Sequence, residues 1–544
     1  MVTARRTKLL TLAAFFVAGL LSYSNILNGY FLSDDFTQIG RVLAGDFSVT
    51  WGESHGGFFR PLFILSYVLD VFLWERNQFG FHLTNLVLHV LNSFLVYLIA
   101  DELTKSQQRN FSLAAGFIFL LHPSHTEAVS WISGRADLLA TFFCLLALLP
   151  YLSHLRTKRV LPLALSLLSF WFALLSKESA VCLPLLILVL TFALNKTSDF
   201  RATLARSLKY TLVFVGVFAV YLSVRTFMIG ALVGGYGAGQ HLTFTHSVIV
   251  SQLLRFSLRI FFPGFALRSM PFLEARWLSP ALIVIGSALA LLTTIVLMRR
   301  SIRRRAFELS RHNAFLLLMW LLFLCSLLPA INLRINVYDT QGERFLYLSS
   351  IFFALALGYL IEKLFANKKL RLAFLSCLLL FYFVALRKTN GEWNETAQLS
   401  RNIINEIVNQ SNRETILLLN APDNLRGAHL FRNGLDDALR LFQNSKPIKE
   451  ARVIAFHDLQ TTHDEVEVSI EADVLSIRLK NEKTAFGKIN EPPRCVTLVH
   501  RSPNLLRFRI EDCPENLQVF YFSNGRVYET SLQRPALITL TDEH

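Results

Sequence analysis

The chain is 544 residues long, 53% hydrophobic and only 17% charged, with a mean hydropathy of +0.42. Soluble domains carry roughly 25% charged residues, so this balance excludes a soluble protein, an intrinsically disordered chain and a disulfide-stapled mini-protein. The net charge of +15 does not point to nucleic acid. No binding motif accompanies it, and its densest cluster, Arg299, Arg300, Arg303, Arg304, Arg305 and Arg311, lies between two apolar runs as a cytoplasmic loop would.

In chain order, Arg5, Arg6 and Lys8 precede an apolar stretch to about Tyr23, read as an uncleaved first transmembrane helix. Further spans are expected near 80–101, 111–122, 137–153, 160–175, 179–194, 208–227, 278–298, 313–331, 344–363 and 370–387. Five short basic loops then fall on one side, which the positive-inside rule makes cytoplasmic. Val160 to Leu194 would be about 52 Å long as one helix, too long for one crossing. The chain is therefore expected to turn at Ser176-Lys177-Glu178, whose charges belong outside the hydrocarbon. The apolar segment 247–263 reads as an interfacial or re-entrant helix. The expected architecture is a polytopic α-helical membrane protein with about 11 transmembrane helices, the amino end inside and everything after about Arg387 outside.

The tail from about 390 to 544 is polar, and alternations such as Val466, Val468, Ile470 and Val474, Ile477, Leu479 predict strands. A division follows into a membrane region, 1–389, and an extracytoplasmic α/β or β-rich domain, 390–544. Cys495 and Cys513 are the only cysteines in this tail and form the candidate disulfide. The other four cysteines sit in apolar spans as small core residues.

Most of the polar residues that need explaining fall on the outer face of this topology. Asp34-Asp35 follows the first span, and adjacent carboxylates are held together mainly by a shared proton or a cation. The next outer loop carries His122, His125, Glu127, Arg135 and Asp137; His125 and Glu127 suit a metal site or a general base. A third cluster holds Glu343, Arg344 and Tyr347, where Arg344 can bind a phosphate through its fork. Lys177-Glu178 and Arg60 add further charge. The plain alternatives are a solvated acidic loop, helix caps, a local Arg135–Asp137 pair and a snorkelling arginine. Carboxylates, histidine and cations on one face suit a reaction that deprotonates a hydroxyl and releases a phosphate.

Asp34-Asp35, Phe59-Arg60-Pro61-Leu62, Phe81-His82 with Asn85 and His89, His122-Pro-Ser-His125-Thr-Glu127, Ser133-Gly134-Arg135-Ala-Asp137, Ser176-Lys177-Glu178 and Glu343-Arg344-Phe-Leu-Tyr347 occur in this order. Over roughly residues 10–390 the set resembles the membrane half of the transmembrane-and-TPR O-mannosyltransferases and their bacterial relatives, in the GT-C glycosyltransferase superfamily. The resemblance implies an inverting glycosyltransferase that moves a sugar from a polyprenyl-phosphate donor to a hydroxyl of an extracytoplasmic glycan, lipid or protein. It implies Asp35 or Asp34 as catalytic base, with Asp35 favoured, and Arg344, Arg135, Lys177 and Arg60 as donor phosphate-binding candidates. His125 and Glu127 would orient the acceptor or hold a divalent ion such as Mg or Mn; Glu343, Tyr347 and Asp137 would support them. The tail departs from the family, since it has no 34-residue helical repeat. The expected location is a membrane, bacterial inner membrane by preference, with active site and tail extracytoplasmic. The alternative class is a lipid or glycolipid flippase, which would place its charges near mid-membrane.

Overall fold

The computed structural model describes residues 2–46, 57–105, 108–195, 199–230, 246–268, 311–333, 335–443, 448–471, 473–511, 513–514 and 517–532. The span expected at 278–298 and the arginines 299–305 lie outside the described residues. The chain forms two compact units, Met1–Asn28 with Gly45–Gly391, and Gly29–Ala44 with Glu392–His544. Residues 29–44, read from sequence as a loop of the 1–389 region, thus pack with the C-terminal unit.

Six helices among the described residues are long and apolar enough to cross a bilayer: Arg5–Tyr23, Gln78–Leu103, Ile132–Thr157, Phe200–Ile229 and Asn313–Ala330 in the first unit, and Lys368–Gln410, which belongs to it as far as Gly391. Shorter apolar helices cover Pro61–Trp74, Arg109–Leu121, Val160–Ser176 and Glu178–Leu194. Large apolar side chains such as Phe72, Leu161 and Phe227 face outward, which water would penalise and hydrocarbon does not. The protein is an integral membrane protein.

The long run from Val160 breaks where its charges sit. Lys177 is extended (φ −163°, ψ 147°), a short 3₁₀ turn covers Glu178–Cys182, and the next helix starts at Leu183 with Pro184 in its first turn, where a missing N–H costs nothing. The helix Pro61–Trp74 is absent from the expected spans; its 14 residues begin on Pro61 and bury Asp70. The 247–263 segment forms the helix His246–Phe261, which buries Phe256, Arg259 and Ile260. The last expected span, 370–387, is only the first part of the 43-residue helix Lys368–Gln410.

The second unit is built on two sheets. The first contains β1 (Thr415–Leu425), β2 (Ala428–His429), β3 (Glu450–Leu459), β6 (Phe486–Ile489), β9 (Leu517–Ser523) and β10 (Arg526–Thr530), in the order β10-β9-β1-β3-β6 with β2 beside β1. β1 runs parallel to both β3 and β9 and is buried almost throughout, as a central parallel strand must be. The second sheet is antiparallel, β4-β5-β8-β7, from Val466–Glu471, Val474–Leu479, Leu505–Ile510 and Val496–Arg501. Its register pairs Val466 with Leu479 and Val468 with Ile477, so the period-two apolar residues share one face. Leu417 and Ile454 of the first sheet join Leu475, Ile477 and Phe508 of the second in one buried cluster.

Cys495 and Cys513 are disulfide-bonded beside this cluster, with Cα atoms 5.1 Å apart. The bond closes a loop of 18 residues, for which loop-closure entropy gives about 3 kcal/mol. Reductant, or a Cys495→Ala/Cys513→Ala variant, is therefore expected to lower the unfolding midpoint of the second unit in detergent-solubilised protein. An unchanged midpoint would remove the bond from the list of stabilising interactions.

Candidate functional site

The charged side chains of the first unit arrive in pairs. Arg135 opens the helix Arg135–Thr157 and is 0% exposed; its guanidinium lies 2.5 Å from the Asp70 carboxylate, itself 1% exposed. Nε donates to Asn85 Oδ1 at 2.7 Å, and Nη2 to the Phe81 carbonyl at 2.9 Å. Asn85 Nδ2 in turn donates to the carbonyls of Val129, Trp131 and Ile132. Arg135 is thus the hub that fixes the 123–134 loop on the helix Gln78–Leu103. The Arg135 guanidinium, expected as a phosphate ligand, is sealed from solvent and engaged with Asp70, Asn85 and Phe81.

The 123–134 loop holds Glu127 fully buried. Its carboxylate accepts from the Arg344 backbone N–H at 2.8 Å and is ion-paired with the Arg344 guanidinium. One residue back along each segment the pairing repeats: Thr126 Oγ1 donates to Glu343 at 3.1 Å, and Glu343 is ion-paired with Arg259. His125 places Nε2 2.8 Å from Ser350 Oγ, and burial, followed by the neighbouring His122 and His89 rings, holds it well below the usual histidine range. Tyr347 places its hydroxyl 2.7 Å from His89 Nδ1 and 3.2 Å from Asn92 Nδ2. Glu127 is neutralised by Arg344 and His125 is bonded to Ser350, and no cluster of three or more His, Cys, Asp or Glu suited to a metal occurs among the described residues.

Of the other expected phosphate ligands, Lys177 Nζ lies 2.5 Å from Asp137, with the lysine only 6% exposed. Arg60 forks onto Glu178 at 2.7 and 3.0 Å and stacks on Phe58. Arg344 and Arg60 keep the most exposure, 13% and 12%. The Arg344 guanidinium lies 5.1 Å from the Trp131 ring and 4.8 Å from Phe345, and Lys177 Nζ is 5.4 Å from that same Phe345 ring. Two cations therefore lie beside one aromatic ring.

In the second unit, Asp34 and Asp35 form the first turn of the helix Asp34–Leu43, where the dipole favours negative charge. Asp35 is 1% exposed, and its Oδ2 accepts the Leu32 N–H at 3.0 Å. Asp34 is half-buried, and Oδ1 accepts from Asn433 Nδ2 at 2.8 Å. A general base must come within hydrogen-bond reach of the proton it takes. Of the two, Asp34 is the more accessible carboxylate, although the sequence favours Asp35.

Two participants escaped the sequence reading. Asp70 had a signal, an acidic residue inside the apolar run Phe63–Trp74, since an acid inside a span is costly unless partnered. Arg259 had none, because its partner is 84 positions away and nothing local marks the pair.

Two expectations follow. Asp70→Asn leaves a buried guanidinium without its counter-charge and should cost about 3–5 kcal/mol, while Asp70→Asn with Arg135→Gln should recover much of the loss; equal melting of Asp70→Asn and wild type would exclude the hub role. The second concerns Asp339, whose Oδ1 accepts the Gln341 N–H at 2.8 Å and whose carboxyl is pushed up to about 6, chiefly by burial. Above the usual aspartate range the unfolded chain is ionised while the folded carboxyl keeps its proton, so stability should fall from about pH 4 to about pH 6. Melting measured across this window should be flatter in Asp339→Asn; parallel curves would refute the assignment.

No family model matches the chain. It is 37% identical over 182 residues to protein O-mannosyl-transferase Tmtc1 of Drosophila melanogaster, covering 30% of this chain and 20% of that protein. It is 35% identical over 159 residues to protein O-mannosyl-transferase TMTC1 of Homo sapiens, covering 26% and 17%. The matched part is thus about a fifth of the length of these relatives. Both are animal proteins, so the bacterial inner membrane finds no support here. Among solved structures the chain is similar to the oligosaccharyltransferase AglB from Archaeoglobus fulgidus in complex with an inhibitory peptide and a dolichol-phosphate, with TM-score 0.40 and 13% identity over 76% of this chain and 62% of that one. Over 26 to 30% of its length, this membrane protein resembles the protein O-mannosyl-transferases.

Proposed function

We propose that the protein is an inverting glycosyltransferase of the GT-C type, moving a sugar from a polyprenyl-phosphate donor to a hydroxyl of an extracytoplasmic acceptor. The observation that carries this reading is the 37% identity over 182 residues to a protein O-mannosyl-transferase. The charge pairing supports it against the flippase: among the described residues Arg60–Glu178, Arg344–Glu127 and Arg135–Asp70 are each locked as ion pairs, and Arg60, Arg344 and Arg135 sit at helix ends.

In the proposed reaction the acceptor oxygen attacks the anomeric carbon as the bond to the phosphate oxygen breaks. The hydroxyl proton passes to the Asp34 carboxylate, and the electron pair of the broken bond leaves with the polyprenyl phosphate. Arg344 and Arg60, the more exposed of the four expected phosphate ligands, meet the charge that develops on that phosphate. A single displacement inverts the anomeric carbon. Asp35 serves the loop, its carboxylate holding the Leu32 N–H. With the basic loops cytoplasmic, Asp34 and the C-terminal unit are extracytoplasmic, and the acceptor is a glycan, lipid or protein there.

The test is transfer by purified protein in nanodiscs from radiolabelled polyprenyl-phosphate sugars to an envelope extract. Asp34→Asn is expected to lose about 10²- to 10⁴-fold in rate, and Asp35→Asn far less, because the amide oxygen still accepts from Leu32. Full activity in Asp34→Asn would remove the proposed base. Donor crossing between leaflets with no transfer would replace the transferase by the flippase.

A further inference from the structure

The segment that carries Asp34 is held by the C-terminal unit at several points, and the closest of them is one turn. Asn433 donates through Nδ2 to Asp34 Oδ1 at 2.8 Å, and its backbone N–H points to Ser33 Oγ at 3.4 Å. The Ser33 N–H donates to the Leu430 carbonyl at 2.9 Å. Thr37, one helical turn after Ser33, donates through Oγ1 to Asp437 at 2.5 Å. Gly434 lies between these contacts at φ +82°, where a Cβ would collide with the Ser33 carbonyl oxygen and sit 3.3 Å from Thr37 Oγ1. Only glycine adopts that backbone cheaply and lets Ser33 come so near. Ser33 is itself at positive φ, 48°, a strained backbone that persists only where the surroundings impose it. Packing completes the clasp: Phe442 contacts the rings of Tyr30, Phe31 and Phe36, and Ser400 Oγ donates to the Phe31 carbonyl at 3.0 Å.

We propose that Asn433 is a positioning residue for the reaction: its amide aims the Asp34 carboxylate, with Gly434 permitting the approach, so that the C-terminal unit orients the base. This rests on the reading of Asp34 as that base. A side-chain amide is a suitable partner because it donates to the ionised form without adding a charge of its own, and it stays a donor at any pH. The charged groups on the elements packed around Asp34 are Asp35 and Arg41 on its own helix, Asp437 and the Asp436–Arg440 pair on Leu435–Phe442, the Arg432–Asp423 pair, and Arg401 beside Tyr30. None of them is altered by a substitution at 433, so a change in proton affinity there reports the amide.

The experiment compares wild type, Asn433→Ala, Asn433→Asp, Asn433→Gln and Asp34→Asn in full-length protein. Two readouts are taken: transfer rates against pH and donor concentration, and the pH dependence of carbodiimide labelling at Asp34, read by peptide mass spectrometry and independent of activity. Asn433→Ala is expected to lower kcat roughly 10- to 100-fold with donor KM little changed. Asn433→Asp sets a second carboxylate beside Asp34 and should move both the acidic limb of the rate profile and the labelling midpoint up by about one pH unit or more. Asn433→Gln should recover part of the loss by presenting the same amide. Labelling midpoints and rate profiles that coincide across the 433 variants would overturn the positioning role. If Asp34→Asn retains full transfer, the base reading itself has failed; if Asp34→Asn is inactive and Asn433→Asp leaves both profiles in place, only the role of Asn433 has.

Discussion

Arg135 carries a full positive charge at zero solvent exposure, and the Asp70 carboxylate at 2.5 Å is what permits it. Moving either ion alone from water into a low-dielectric interior costs several kcal/mol even after relaxation, and the pair is tolerable only because Asn85, Phe81 and Thr84 satisfy the remaining donors and acceptors. The helices Pro61–Trp74 and Gln78–Leu103 and the start of Arg135–Thr157 are thereby tied at one point. The loop 123–134 hangs from that point through Asn85. What Glu127 and Arg344 can do depends on a neutral knot that itself does no chemistry.

The same rule runs through the unit: Lys177 with Asp137, Arg259 with Glu343, Arg344 with Glu127 and Arg60 with Glu178. A pair buried on both sides is architecture; a pair with one side partly open can exchange its partner for a ligand. Among the four expected phosphate ligands, the partly open ones are Arg344 and Arg60. Trp131 and Phe345, which flank Arg344, exclude water from one side of the guanidinium, and an electrostatic contact made there is stronger than the same contact in bulk solvent.

What was legible in the sequence was whatever imposes itself locally. The turn at Lys177 follows from charge inside an overlong apolar run, and β4 and β5 follow from alternation. Pro61–Trp74 was missed because 14 residues fall short of the roughly 20 that a crossing needs, so a length filter discards it along with Asp70. The choice between Asp34 and Asp35 was not available to any local rule. Successive residues on a helix point about 100° apart, so one of the two must face inward, and only the packing of Phe31 and Phe36 against Phe431 and Phe442 decides which. The direct bond from Asn433 to Asp34 spans 399 positions, a separation at which a single sequence carries no pairing information.

That separation also sets an order of events during synthesis. Translation proceeds at about 5–20 residues per second, so after Asp34 leaves the ribosome the partner that holds its carboxylate is absent for roughly 20 to 80 s. During that interval the strained Ser33 has nothing to impose its conformation, and the acidic turn is an unsupported loop on a partly built membrane protein. A chain interrupted before β1 would carry every cation of the first unit and still lack an organised base. The proposed base is thus held in place only after the C-terminal residues around Asn433 have folded.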